Sequence, residues 1–72
     1  MTTLPAVKPR ELEQVLLKAG FKFVRQKGSH RIYVKGNYKV VIPYHNKDLK
    51  RGTLRNIIKQ ANLSPTELSE LL

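Results

Sequence analysis

The sequence predicts an α+β domain, a two-layer sandwich in the order α-β-β-β-α with a short extra helix at the C-terminal end. Three observations carry this. Apolar residues recur at helical spacing near both ends of the chain, at Leu12, Val15, Leu16 and Ala19 and again at Leu54, Ile57, Ile58 and Ala61. Between them lie three short β-type runs broken by Gly28-Ser29 and Gly36-Asn37. One sheet face must then cover the apolar stripes of both helices, which leaves the other face open.

Each element has its own local reason. Pro9 suits the first position of a helix, where its missing N–H costs nothing. The first helix is expected over Pro9–Ala19, with Gly20 as a left-handed cap and Phe21 folding back onto the last turn. Phe21–Lys27 reads as the first strand, with Phe21 and Phe23 on one face. Gly28-Ser29 makes a tight reversal into His30–Lys35, where His30, Ile32 and Val34 alternate with Arg31, Tyr33 and Lys35. Gly36-Asn37 is a two-residue hairpin turn, and the third strand, Tyr38–Pro43, stops at proline. Tyr44–Lys50 is a polar loop in which Asp48 is expected to cap the second helix. Asn62 closes that helix in the left-handed conformation. Ser64-Pro65-Thr66-Glu67 is a capping box for a third helix carrying Leu68, Leu71 and Leu72. Residues 1–8 read as a flexible lead and residues 9–72 as one domain with a modest core.

Charge narrows the function. Fourteen Lys and Arg stand against five Asp and Glu, a formal net charge of +9. The imbalance is concentrated: Asp48 is the one acid between Lys18 and Lys59, while Glu11, Glu13, Glu67 and Glu70 lie outside that stretch. A basic centre between mildly acidic ends suits a polyanion, most often nucleic acid. No apolar run is long enough to span a bilayer, and the start lacks the pattern of a secretory signal. With no cysteine there is no disulfide, thiolate nucleophile or Cys-based zinc site, so the expected compartment is the cytosol.

Several chemistries fit poorly. Two-metal phosphate chemistry needs convergent carboxylates, and four of the five here are expected on the outer helices. Two histidines without cysteine make a weak zinc site. Ser29 and His30 are adjacent, but neighbours in an extended segment point apart, so they do not form a nucleophile–base pair. Histidine among cations remains. RNA carries its own nucleophile, the 2′-hydroxyl, so a metal-free ribonuclease needs a base, an acid and positive charge at phosphorus. Histidine as a residue type suits the first two of these, and Arg25, Lys27 and Arg31 are near His30 in sequence. By strand parity His30 shares a face with Ile32 and Val34, where a packed core histidine would sit. A bulge at Gly28-Ser29 would turn it outward instead. The residues leave both open. His45 falls in a loop, and Tyr33, Tyr38 and Tyr44 either stack on bases or pack.

The run Arg25-Gln26-Lys27-Gly28-Ser29-His30 resembles the signature of HicA toxins, the mRNA interferases of HicA/HicB toxin–antitoxin modules. Ile42-Pro43-Tyr44-His45, Leu49, Gly52-Thr53-Leu54-Arg55, Ile58 and Gln60 extend the likeness over Glu11 to Leu63. The resemblance implies a fold like the double-stranded-RNA-binding domain and a ribonuclease that cleaves mRNA and arrests translation. It implies that His30 is catalytic, supported by Gly28, Ser29 and His45, and that a HicB-like antitoxin covers this region. RNA would be held by Arg25, Lys27, Arg31 and Arg55. No metal or cofactor is expected, and the free protein is expected to be a monomer. The alternative from another class is a non-catalytic RNA-binding module of the same fold, with His30 structural.

Overall fold

The computed structural model describes residues 4–72. Its elements run α1 (Pro9–Lys18), β1 (Lys22–Lys27), β2 (His30–Lys35), β3 (Tyr38–Pro43), α2 (Arg51–Gln60) and α3 (Pro65–Leu71). The three strands form one antiparallel sheet in the order β1-β2-β3, so β2 is central. All three helices lie on one side, giving the expected two-layer α+β sandwich.

Both long helices end in the same way. After α1 the Gly20 N–H bonds the Leu17 carbonyl and the Phe21 N–H bonds the Leu16 carbonyl. After α2, Asn62 and Leu63 repeat the pattern onto Lys59 and Ile58. These are paired Schellman closures, and they need a left-handed residue at the first position past the cap. Gly20 (φ 101°) and Asn62 (φ 58°) supply it. The hydrophobic residue that follows, Phe21 or Leu63, then folds back onto the core. α3 starts with the expected capping box, Ser64 and Glu67 each accepting the other's backbone N–H.

The helix starts differ from expectation at one point. Asp48 does not cap α2: Lys50 occupies the N-cap, with no side-chain hydrogen bond. Asp48 lies two positions before the cap, so its carboxylate is out of register with the first free N–H groups. At α1 the cap residue is Lys8, whose side chain has no acceptor, and Glu11 instead accepts the Lys8 N–H at 2.9 Å.

The core forms where the two layers meet. Leu12, Val15 and Leu16 of α1, Leu54, Ile57 and Ile58 of α2 and Leu68 of α3 close over Tyr33, Val40 and Ile42 of the sheet. The inward face of β2 is therefore the Arg31-Tyr33-Lys35 face. Ile32 and Val34, which parity alone grouped with a core position, lie on the opposite, open face. Tyr33 is fully buried.

The start of the chain also differs from a flexible lead. Val7 is fully buried, Leu4 nearly so, and the Val7 carbonyl accepts the Leu49 N–H at 2.8 Å. Leu4–Lys8 is thus an extended strap seated against the loop before α2, while residues 1–3 of the expected lead lie outside the described residues. The burial of Leu4 and Val7 and the hydrogen bond to Leu49 offset much of the entropy of ordering so short a segment. Replacing Val7 by alanine should cost about 2 kcal/mol of unfolding free energy, read as a lower denaturant midpoint at unchanged slope. A flexible lead would give no change.

Candidate functional site

The open sheet face is assembled by register. β2 contributes His30, Ile32 and Val34, and their partners on β3 are Pro43, Val41 and Lys39. On β1 the partners are Lys27 for His30, Arg25 for Ile32 and Lys22 for Val34. The register shifts between Phe23 and Arg25, leaving Val24 as the extra residue of a bulge. Were Val24 an ordinary member of the ladder, the period-two alternation from Phe23 would send Arg25 and Lys27 to the helix side. The bulge re-aims both onto the face that carries His30. No bulge falls at Gly28-Ser29, which is a plain two-residue turn with Gly28 at φ 59°; His30 reaches the open face by the alternation of β2 itself, and the bulge at Val24 acts on β1 alone.

His30 begins the central strand, exposed, with the Lys27 ammonium stem directly across from it. Directly opposed side chains on paired strands have Cβ atoms about 5 Å apart. Of the expected RNA-binding residues, Arg25 and Lys27 therefore share a surface with His30. Arg31 does not. Its side chain turns to the helix layer and donates to Glu13 Oε2 of α1 at 2.6 Å and to Gln26 Oε1 of β1 at 3.0 Å. Its guanidinium also stacks over the Tyr44 ring, 4.2 Å from the centroid, and over Phe23 at 5.2 Å. Arg55 sits exposed on α2, in the helix layer, away from the open sheet face.

Both chain neighbours of His30 are pinned. Behind it, the Ser29 carbonyl accepts the Tyr44 N–H at 2.6 Å, and the Gly28 carbonyl accepts Gln26 Nε2 at 2.9 Å. Ahead of it, Arg31 is held by Gln26 and Glu13. Glu13 in turn accepts from the Tyr33 hydroxyl in a very short bond, and from the Tyr44 hydroxyl at 3.5 Å. One carboxylate on α1 thus joins the central strand to Tyr44, the residue after β3 that holds the Ser29 carbonyl. The sequence reading gives Glu13 and Gln26 no bonding role at the site, and Tyr44 only that of stacking or packing. The available signal was Arg31-x-Tyr33, two polar-tipped side chains on one strand face that demand a buried acceptor.

His45 belongs to a different surface. It lines a cleft of about 390 Å³ with Lys8, Arg10, Tyr44 and Asn46, beside the start of α1. Its Nδ1 accepts the Lys47 N–H at 3.2 Å, which leaves the ring proton on Nε2. Among the described residues no group of three His, Cys, Asp or Glu side chains could hold a metal ion, and no helix is long and apolar enough to cross a membrane.

The Tyr33 phenol is held far above its ordinary 10.0, first by burial and next by its hydrogen bond to Glu13 and that group's charge, with Arg31 pulling partly back. A raised phenol contributes stability that is complete below the unfolded value, near 10, and fades as pH rises beyond it. Tyr33→Phe should therefore cost about 1–3 kcal/mol near neutral pH, and the gap to the native protein should narrow steadily above pH 10. Urea unfolding of both proteins across that range checks this. A gap that stays constant would mean Tyr33 is not the group that titrates.

No curated protein matches the chain. A family profile does: that of the "HicA toxin of bacterial toxin-antitoxin", over residues 9–63. The match runs from the first residue of α1, through the sheet and its His30 turn, to the Schellman closure of α2. It covers well over half of the sequence, and the chain belongs to the HicA toxin family.

Proposed function

We propose that this toxin is a metal-independent endoribonuclease that cleaves mRNA, and so stops translation and growth, with His30 moving the proton. The observation that supports this most is the open sheet face, where the Val24 bulge sets Arg25 and Lys27 beside an exposed histidine that is pinned on both sides. Neutral His30 takes the proton of a 2′-hydroxyl as that oxygen bonds to phosphorus. The bond from phosphorus to the 5′ oxygen breaks, and the protonated His30 returns that proton to the departing oxygen. The products are a 2′,3′-cyclic phosphate and a 5′-hydroxyl end. Lys27 and Arg25 meet the charge that builds on the non-bridging oxygens.

The same face suits neutralisation. Ile32, Val34 and Val41 are half-buried between the cations, so an acidic antitoxin that laid an apolar strip and carboxylates here would cover His30 and displace RNA together. Arg55 on α2 would extend the RNA contact around the edge of the domain, and the free toxin would act as a monomer.

His30→Ala should remain folded by circular dichroism and keep most RNA affinity, yet lose about a hundred- to ten-thousand-fold in cleavage rate along with growth inhibition. Cleavage by the native protein should survive EDTA. Cutting by folded His30→Ala at nearly the native rate would remove the assignment. Loss of activity in chelator, restored by magnesium or manganese, would remove the metal-free mechanism.

A further inference from the structure

The open sheet face leaves the cleft at the start of α1 without a task. Its lining is basic: Lys8 and Arg10 supply the charge, with Tyr44, His45 and Asn46, and no carboxylate is present. The nearest acids are engaged elsewhere. Glu11 accepts the Lys8 N–H as part of the helix start, and Glu13 is taken by Arg31 and Tyr33. The salt bridge among the described residues is that of Arg31 with Glu13, so the Lys8 and Arg10 charges face the cleft uncompensated. At about 390 Å³ it falls within the range of sites that enclose small molecules.

We propose that this cleft is a subsite for one nucleotide of an RNA strand, its phosphate on Lys8 and Arg10 and its base against His45 and Asn46. Arginine offers a planar fork that matches two phosphate oxygens, and lysine adds a point charge. The Asn46 amide both donates and accepts, and the His45 Nε2–H adds a donor, as reading the edge of an unstacked base requires. Tyr44 forms a fixed wall, since Arg31 stacks on its ring and Glu13 holds its hydroxyl.

Position links the cleft to the first site. Pro43 pairs with His30 across β2 and β3; the next residue, Tyr44, bonds the Ser29 carbonyl; and the residue after that is His45. An RNA strand with one phosphate at His30 therefore meets the cleft with a neighbouring nucleotide as it turns the end of the sheet. The inference rests on the RNA reading above for its substrate. It gives His45 a role in holding that substrate, not in moving a proton.

The test needs no cleavage, so it fails or succeeds apart from the role of His30. The full-length ¹⁵N-labelled protein is titrated with a nucleoside 5′-monophosphate, with the uncharged nucleoside, and with inorganic phosphate. The monophosphate should move the amide signals of Arg10, Tyr44, His45 and Asn46 and bind at least about tenfold more tightly than either fragment. Arg10→Gln should weaken it about tenfold at an unchanged melting temperature, because Arg10 is exposed. Asn46→Ala should erase preferences among the four monophosphates while inorganic phosphate binds as before. Phosphate that binds as well as the monophosphate would reduce the cleft to a plain anion site and overturn the proposal. Shifts confined to Arg25, Lys27 and His30, or none in the cleft, would overturn it as well.

Discussion

The Glu13 carboxylate is the interaction on which the rest of the arrangement depends. It is 14% exposed and lies where α1 crosses the sheet, accepting from Arg31 and Tyr33 of the central strand and from Tyr44 beyond β3. An anion in that position is stable only because its lone pairs are filled. Taking it away would leave a guanidinium and a buried phenol facing apolar surface. The same carboxylate fixes which face of β2 turns inward. Tyr33 must reach it from the helix side, so Arg31 and Lys35 follow, and His30 is sent to the open face by alternation.

The bulge at Val24 completes what Glu13 begins. Glu13 decides the face of His30, but the cations on β1 follow their own alternation. Were Val24 an ordinary member of the ladder, Phe23 would share a face with Arg25 and Lys27, pointing charge into the core layer. One inserted residue lets Phe23 pack edge-on to Tyr33, 5.7 Å between centroids, and still sends Arg25 and Lys27 outward. Gln26, on the inward side, then bridges Arg31 to the Gly28 carbonyl. Core packing and surface charge are thus reconciled on a single edge strand, at the cost of one broken step in the ladder.

What could be read from the sequence follows from this. Apart from the start of α2, where Lys50 and not Asp48 is the cap, the helix limits, the three strands and both left-handed closures were legible because each rests on local chemistry: Pro9, Gly20, Asn62 and the Ser64–Glu67 box. The facing of β2 was not. His30-Ile32-Val34 carries more apolar side chains than Arg31-Tyr33-Lys35, and counting them favours the wrong face. Tyr33 wins because a large ring with a buried partner removes more surface than either aliphatic residue. Val24 gives no local sign of a bulge, since valine suits an ordinary strand equally well. The Leu4–Lys8 strap was missed because Leu4 and Val7 have no periodic partners and find their contacts only in the folded chain. Of the residues named for the site, Arg25, Lys27, Gly28, Ser29 and His30 come together, whereas Arg31, Arg55 and His45 face other surfaces.

That dispersal bears on how so small a basic protein could handle a polymer. A single flat patch would hold RNA by charge alone and leave the strand free to slide, since phosphate contacts are alike along its length. Here Arg31 is turned away from the open face, its charge matched by Glu13, so the charge beside His30 comes from Arg25 and Lys27. Tyr44 then separates that face from the cleft while joining them mechanically. Its N–H holds the turn behind His30, its ring takes the stack of Arg31, and its far side walls the cleft. On the proposed reading, two surfaces that meet at one rigid residue would hold a strand at two fixed points. Fixing a strand at two points would convert attraction for a polyanion into placement of one phosphate at one imidazole.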